Sequence, residues 1–437
     1  MLEILQIFFQ LFIFFLLTYF PINKFTLSRF SFDYIQNNYN AIFINIILIL
    51  NTFLLLSFFK LNLKLVFLPI FIINFFFFTY NFFNIIKEIF CRKNIEIKLA
   101  FIIICCGFFF NTAANPGLGW DGLAHWLPKA NNFYLDKGYF EMQHPNYPQL
   151  GSYLWAFFWK NSFIQKEYLG RLFLHYLYLV SIFIIVSNLK EKSNFKKLIF
   201  IFLLLLFTFD YDSKLPGYQD YLIFVLLVFC SKILLDINSR LKISKNSSLY
   251  ILLMMTTILL PWVKNEGVFY SIFIAIVYFF INTESLMKKI IFLLIIFTNI
   301  IIQVVFVKII LSTNHMFIQI PLEYDVIVKN IFNIKELFYR FFYISFYIIR
   351  SSFQYPLILI NFISIMISLK YLRNINNIKI FYVFFVLNLI FVYGIYIVTT
   401  FPLLWHMQTS LSRLMLQTSG FYAFLIIYLI NKKNIKI

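Results

Sequence analysis

The chain has little charge: Asp, Glu, Lys and Arg make up 13% of its 437 residues, whereas hydrophobic types make up 62%. A soluble domain carries about 25% charged and about 45–50% apolar residues, so this chain has too little charge to cover a soluble surface. Gly and Pro number only 11 each and Cys only 4, which excludes a collagen-like chain, a Gly- and Pro-rich disordered chain and a disulfide scaffold. The composition therefore predicts a protein embedded in a lipid bilayer.

Long apolar runs recur along the whole sequence. About 18–20 apolar residues cross a hydrocarbon core of about 30 Å, and the sequence contains about 13 such runs, within a range of about 11 to 13. Their approximate limits are Leu2–Phe20, Ala41–Phe59, Leu65–Phe83, Leu99–Ala113, Leu169–Leu189, Leu198–Phe209, Tyr221–Leu235, Leu249–Leu260, Val268–Ile281, Ile290–Ile310, Tyr355–Leu369, Phe381–Phe401 and Leu414–Ile430. The sequence thus predicts an all-α, polytopic bundle of transmembrane helices, organised as a single membrane domain over residues 1–437.

The net charge of +19 is distributed unevenly between the two predicted faces of the membrane. If the C-terminal tail is cytoplasmic, alternating spans put most of the Lys and Arg in cytoplasmic loops, as the positive-inside rule requires. We therefore interpret the charge as a signal of topology and of contact with membrane lipid, and expect no nucleic-acid partner. In this frame, segments 111–168 and 311–354 are long external loops. The second is expected to contain a re-entrant or interfacial helix around Leu337–Ile349.

The first external loop opens with an abrupt change in composition. A proline and two glycines form a turn as the chain leaves the membrane, and Asp121, His125 and Lys129 follow at spacings of four residues. If this segment is helical, the three side chains share one face, and Pro128 is expected to kink or end the helix. The simplest interpretation is a structured loop whose Trp and Tyr side chains anchor it at the head groups. Charge close to lipid is costly and usually has a role, which favours a functional site.

Other polar groups fall at positions that the same topology places outside. Segment 143–151 carries His144 and Tyr147 beside two prolines three residues apart, a pattern that predicts a stiff, extended strap. The remaining candidates lie in later segments: Asp220, Lys264, Glu266, His406 and Arg413. Each alone is typical of a solvated loop charge or a local ion pair. Together they suit a site for a polar, phosphorylated substrate carried on a lipid anchor.

Metal binding stays open from the residues alone. Asp121, His125 and His144 could ligate zinc, and Asp121 alone could hold a hard divalent cation, although neither metal is required. The four cysteines show no metal-ligand spacing and lie in or beside apolar runs, so we interpret them as buried small hydrophobic residues: Cys91, Cys105, Cys106 and Cys230. Phosphate-loop, dinucleotide-binding, nucleophile-elbow and HExxH motifs are absent from the sequence.

A membrane chain with Trp-Asp-Gly at the first turn of a large external loop resembles the GT-C superfamily of glycosyltransferases. That superfamily includes the protein O-mannosyltransferases and the bacterial aminoarabinose transferases. A wider pattern over residues 120–417 is similar to a group of uncharacterised bacterial membrane proteins usually placed near this superfamily. The pattern comprises Asp121…His125…Lys129, His144-Pro145-x-Tyr147-Pro148, Lys264-Asn265-Glu266-Gly267 and Ser410…Arg413…Gln417. The external loop of the superfamily normally follows the first span, whereas here it follows about the fourth.

The resemblance implies transfer of a sugar from a polyprenyl-phosphate donor to a glycan, lipid or protein acceptor, with inversion. It implies a bacterial inner-membrane location with the site facing the periplasm. Asp121 matches the acidic residue that serves as catalytic base or metal ligand in that superfamily, and we expect His125 or His144 to position it. Cations should neutralise the departing lipid phosphate. Lys264 and Arg413 are the candidates for that role, with Lys129 in reserve.

Two other functions use the same features of the sequence. A transporter or flippase for a lipid-linked sugar would place polar residues within its spans, whereas here they fall mostly at the outer ends. An oligosaccharide polymerase or ligase of the cell envelope would share the donor chemistry. A purely structural membrane protein would leave the external polar groups without a role.

Overall fold

A computed structural model describes residues 2–20, 38–83, 95–141, 147–189, 193–208, 217–239, 247–281, 285–305, 324–371 and 378–433. Throughout these ranges the chain forms helices and turns and no strand. An apolar chain in lipid has to satisfy its backbone N–H and C=O groups within the protein, and a helix does so inside one segment. The predicted all-α, polytopic fold class is confirmed.

The helices follow the predicted apolar runs closely. In the first half they are α1 (Leu2–Tyr19), α2 (Asn38–Ser57), α3 (Leu63–Tyr80), α4 (Ile95–Ala114), α5 (Leu127–Tyr134), α6 (Leu150–Lys160), α7 (Tyr168–Ser187) and α8 (Asn194–Thr208). In the second half they are α9 (Asp220–Ser239), α10 (Ser247–Val263), α11 (Glu266–Ile281), α12 (Leu286–Val304), α13 (Tyr324–Phe332), α14 (Ile334–Gln354), α15 (Pro356–Tyr371), α16 (Ile378–Val398) and α17 (Leu403–Lys433). Each predicted run is helical over most of its described part.

Within the described ranges, eight helices are long and apolar enough to cross a membrane, or up to nine if a bent pair counts as one span. That pair is α14 and α15, whose axes differ by 107° across Tyr355 and Pro356. The helix predicted around Leu337–Ile349 is therefore present, and it is longer than expected. Helices α10 and α11 are apolar but shorter, so the predicted total of about 13 spans stays a prediction.

Contacts within the chain divide it into two compact units. The first comprises Met1–Phe202, Lys214–Leu222 and Phe306–Leu311, and the second comprises Leu203–Ser213, Ile223–Val305 and Ser312–Ile437. Segment 111–168, which is predicted to be an external loop, belongs to the first unit. The segments that carry Lys264, His406 and Arg413 belong to the second.

Helix α7 is the centre of the first unit. Its whole span is buried, and it packs against α1, α4 and α6. Aromatic rings fill the junction: the centroid of Phe14 lies 5.0 Å from that of Phe158 and 5.1 Å from that of Phe173. The hydroxyl groups of Thr18 and Tyr176 are 2.8 Å apart and satisfy each other inside this apolar core. The loop that follows α4 therefore rests on a rigid support.

In the second unit, a tight turn joins α10 to α11. The N–H of Gly267 donates to the carbonyl oxygen of Lys264 at 2.9 Å, and a Cβ atom on Gly267 would lie 1.9 Å from the carbonyl oxygen of Leu260. Only glycine fits so close an approach of two backbones.

We therefore predict that Gly267→Ala lowers the stability of the protein by about 1–3 kcal/mol, the usual cost of overpacking. The matched control is Gly394→Ala in α16, where a Cβ atom meets nothing within 4 Å. Alanine should be neutral or slightly stabilising there, because it is the better helix former. Thermal unfolding in detergent measures both. Equal midpoints for the two variants would contradict the close approach at Gly267.

Candidate functional site

The loop after α4 turns at once into a second helical segment. The amide N–H of Asn115 donates to the carbonyl oxygen of Asn111 at 2.9 Å, and Pro116 and Gly117 are exposed. Helical geometry resumes at Trp120, whose side chain is 71% exposed. Asp121 is half-buried directly behind it. The predicted base thus lies on the first turn of a helix at the end of an apolar span.

Residues Gly122–Trp126 form a π-helix, and α5 continues from it without a break. The N–H of Leu127 donates to the carbonyl oxygen of Gly122, five residues earlier. Pro128 follows directly and is the second residue of α5. The expectation that the helix ends at Pro128 is therefore wrong, because α5 runs on to Tyr134. The π turn lies directly before the proline, and the expected kink stays a prediction. Single π turns occur frequently at functional sites.

An aromatic group surrounds His125 in this π turn. The centroid of its ring lies 5.3 Å from that of Trp120, nearly perpendicular, and 4.6 Å from that of Tyr147. Tyr147 also lies 5.3 Å from Trp126. Predicted site residues from two separate sequence stretches, His125 and Tyr147, are thus in direct contact.

Lys129 has a different environment from the one expected for a substrate-binding cation. Its side chain is fully buried, and its ammonium group donates to the carbonyl oxygens of Tyr147 and Pro148. It also lies 5.8 Å from the ring centroid of Trp126. Burial lowers the pKa of Lys129 to about 7. Lys129 therefore fastens the chain around Tyr147 to α5, a structural role that sequence analysis missed.

The segment before α9 packs against the same loop. Gly217 has φ of +99°, which glycine adopts easily, and a Cβ atom on it would lie 3.4 Å from the Cα atom of Gly122. A Cβ atom on Gly119 would lie 2.4 Å from the hydroxyl oxygen of Tyr218. Asp220, in the first turn of α9, is buried. The structure thus brings the segment of Asp220 against the loop of Asp121 within the first unit.

His144 lies outside the described residues. The other predicted residues, Lys264, Glu266, His406 and Arg413, belong to the second unit. Lys264 is buried, and its ammonium nitrogen is 3.1 Å from a carboxylate oxygen of Glu266. Nδ1 of His406 is 2.8 Å from the hydroxyl oxygen of Thr399.

Tyr396, which sequence analysis missed, lies near the predicted residues of the second unit. Its hydroxyl lies 2.9 Å from that of Ser410 and within electrostatic range of Glu266 and Arg413. Its ring centroid is 5.1 Å from that of His406. Tyr396 thus contacts His406, and Glu266 and Arg413 are near enough to act electrostatically on its hydroxyl group. An apolar run gives no sign of this, because a tyrosine inside a span resembles any other aromatic residue.

Sequence analysis also missed a buried ion pair at the start of α7. Nε of Arg171 lies 2.8 Å from Oε1 of Glu167, and the guanidinium is completely buried. His175, one turn further along α7, is buried, and its Nδ1 lies 3.3 Å from the hydroxyl oxygen of Thr112. The available signal was the i, i+4 spacing of Glu167 and Arg171.

A preformed metal cluster is not apparent in the described part of the chain, which holds no group of three or more His, Cys, Asp or Glu side chains arranged to bind a metal ion. Comparisons of the chain with protein-family models, with curated proteins and with solved structures gave no match. The function is therefore inferred from the residues around Asp121 and His125 and from those around Lys264 and His406.

The depressed pKa of Lys129 makes a testable prediction about pH. Below pH 7 both the folded and the unfolded chain bind the proton, and the folded state bears the cost of a buried ammonium. Between pH 7 and the unfolded value of 10.5 the unfolded state binds more protons, so stability rises with pH. We expect the wild type to gain about 2 kcal/mol relative to Lys129→Met between pH 7 and pH 9.

Denaturant unfolding of both proteins in the same detergent at pH 7, 8 and 9 measures this difference. Using the difference removes every other titrating group that the two proteins share. A constant difference across the three pH values would mean that Lys129 keeps an ordinary pKa and is not buried as described.

Proposed function

We propose that the chain is a membrane glycosyltransferase that moves a sugar from a polyprenyl-phosphate donor to an acceptor hydroxyl on the external face of a bacterial inner membrane. The observation that carries this proposal is the group around Asp121. A half-buried carboxylate lies one turn before His125 on a continuous π/α helix, and Tyr147 is held against His125. A half-buried carboxylate four residues before an imidazole, at the end of an apolar span, suits proton abstraction from a hydroxyl at the membrane boundary.

The proposed reaction needs few parts. Asp121 takes the proton of the acceptor hydroxyl as its oxygen attacks the anomeric carbon of the sugar. The bond from that carbon to the phosphate oxygen breaks, and its electron pair leaves on the lipid phosphate. Attack opposite the leaving group inverts the anomeric configuration. His125 positions the carboxylate and the incoming hydroxyl.

The leaving phosphate develops negative charge, and positive groups stabilise it. For this role we propose Lys264 and Arg413, the cations that the sequence predicts for it. Glu266 lies beside Lys264 and holds it in a buried position, and Arg413 supplies the planar fork of donors that fits a phosphate. A divalent cation bound to Asp121 would also stabilise the negative charge of the leaving phosphate.

The distribution of charge and the predicted topology support the proposed external location. The loops that carry Asp121, Lys264 and Arg413 fall on the face poor in Lys and Arg when the positive-inside rule sets the frame. Polyprenyl-phosphate sugars are used on that face after they have crossed the membrane. Because the site lies at the end of a helix that could span the bilayer, the lipid tail of the donor could stay in the membrane beside it.

We predict that Asp121→Asn lowers sugar transfer at least about a hundredfold, within the range for loss of a general base, while membrane insertion stays normal. The assay supplies polyprenyl-phosphate mannose, glucose or aminoarabinose to the protein in nanodiscs and measures released polyprenyl phosphate by mass spectrometry. The matched control is Glu141→Gln in the same loop, whose exposed ion pair with Lys60 contributes little and which should leave transfer unchanged.

Near-full activity of Asp121→Asn would contradict the role of the carboxylate. Movement of the lipid-linked sugar across the membrane without release of polyprenyl phosphate would favour a flippase instead. A product several sugar units longer than the acceptor would indicate a polymerase.

We predict that Arg413→Lys raises the KM for the donor roughly ten- to 150-fold, because loss of a charge-assisted hydrogen bond costs about 1.5–3 kcal/mol. Lysine keeps the charge but loses the planar fork. The KM for the acceptor should not change. Steady-state kinetics with donor and acceptor varied separately measure both values.

Arg350→Lys is the control for this substitution, because Arg350 is exposed on α14 and should tolerate the exchange. If Arg413→Lys is equally silent, the guanidinium only contacts lipid head groups, for which charge alone suffices.

A further inference from the structure

Arg171 is, like Lys129, a completely buried cation of the first unit. Its side chain has no exposed surface. It lies in the first turn of α7, a span that is itself wholly buried. Ionisable residues inside membrane segments are costly and usually have a role. The reaction proposed above does not use Arg171, so its burial requires another explanation.

The contacts of Arg171 supply one. Its guanidinium forms a two-point pair with Glu167: Nε lies 2.8 Å from Oε1, and Nη2 donates to Oε2 at 2.9 Å. The same Nη2 donates to the carbonyl oxygen of Pro116 at 2.8 Å. The cation also lies 5.5 Å from the ring centroid of Trp155. Arg171 thus joins α7 and α6 to the backbone at the start of the external loop.

The surrounding chain is shaped to hold this guanidinium. The indole N–H of Trp155 donates to the carbonyl oxygen of Glu167 at 3.3 Å. A Cβ atom on Gly170 would lie 2.1 Å from the carbonyl oxygen of Trp155, so only glycine lets α7 approach α6 this closely. Removal from water raises the pKa of Glu167, and the charge of Arg171 opposes that shift.

Pro116 is five residues before Asp121, and the residues between them are clamped from a second direction. The side chain of Leu118 would lie 2.8 Å from a Cβ atom on Gly217, and Tyr218 covers Gly119. Arg171 holds the beginning of this short connection, and the segment before α9 holds its middle. The position of Asp121 relative to α7 is therefore set over a chain of only a few residues.

We propose that Arg171, oriented by Glu167, is a positioning residue that anchors the loop carrying Asp121 to the buried helix α7. This inference rests on the proposed function for its catalytic consequence, whereas the anchoring itself is a structural property that can be tested without any substrate. A displacement of about 1 Å in a reacting group can cost about a hundredfold in rate. Loss of an anchor five residues from Asp121 is therefore expected to lower kcat.

The direct test is a spin label at Gly117, next to the anchored carbonyl group. A Cβ atom at Gly117 meets nothing within 4 Å, so Gly117→Cys is tolerated, and the four native cysteines are replaced by Ala in the full-length protein. In Arg171→Lys the lysine cannot hold both carboxylate oxygens and the Pro116 carbonyl at once. We expect the electron paramagnetic resonance spectrum of the label to gain a mobile component.

A second variant covers the case in which a single substitution prevents folding. The double variant Arg171→Met/Glu167→Gln removes both charges together, and replacing a buried pair by neutral groups of similar volume is often tolerated. It should fold and keep the midpoint of thermal unfolding. Its label at position 117 should still show the mobile component in the spectrum. Arg340→Lys is the matched control: Arg340 pairs with Glu336 at the same i, i+4 spacing with 2.8 Å between Nε and Oε1, and its backbone partners are Tyr396, Ile397 and Thr399.

Kinetics separate positioning from general stability. With the polyprenyl-phosphate sugars as probes, kcat of the double variant should fall about ten- to a hundredfold, while the KM for the donor stays within about twofold of the wild-type value. An immobile label in the folded double variant would overturn the anchoring. A mobile label with unchanged kcat in an active enzyme would overturn the positioning role. A wild type that transfers no sugar would refute the proposed function, and the label would still decide the anchoring.

Discussion

The cost of an unsatisfied polar group away from water is the constraint on which this structure depends. In a chain with 13% charged residues, three buried cations at the ends of helices face carboxylates or backbone carbonyl oxygens, although Nη1 of Arg171 has no hydrogen-bond partner in the described residues. Arg171 has Glu167 and Pro116, Lys129 has Tyr147 and Pro148, and Lys264 has Glu266. Each pairing fixes a turn or loop against a helix, because breaking it would leave an uncompensated charge.

This constraint explains how the loop that carries the candidate base is held in place. A surface loop normally moves freely, but the loop after α4 is held by Arg171 at its start and by the segment before α9 at its middle. Beyond Asp121, Lys129 fastens α5 to the carbonyl oxygens of Tyr147 and Pro148. Rigid support of this kind is what a reactive group needs, since catalysis depends on geometry fixed before the substrate arrives. The same fastening takes Lys129 away from substrate and gives it a structural role.

Hydropathy predicted the helices well, because long apolar runs in lipid have few other conformations. It predicted the contacts poorly. The π turn at His125 has no signature in a single sequence, and the spacing of Asp121, His125 and Lys129 suggested a plain α-helix. Tyr396 and His175 were hidden inside apolar runs. The contact of His125 with Tyr147 arises from tertiary packing across a turn between two helices, which periodicity does not encode. What sequence analysis did locate was the loop itself, since its composition changes abruptly where the chain leaves the span.

The two arginine anchors show which signal was overlooked. Glu167…Arg171 and Glu336…Arg340 have the same Glu-x-x-x-Arg pattern near the beginning of a helix, and each guanidinium reaches backbone carbonyl oxygens in another segment. On a soluble helix this spacing is a minor surface pair worth a few tenths of a kcal/mol. In a chain with so little charge, the glutamate compensates the arginine, and one guanidinium nitrogen donates to the backbone: Nη2 of Arg171 and Nη1 of Arg340. A lysine would supply the charge without the fork that makes both contacts at once. In an apolar chain, this pattern at the edge of a span therefore marks the place where a loop is fastened to a helix.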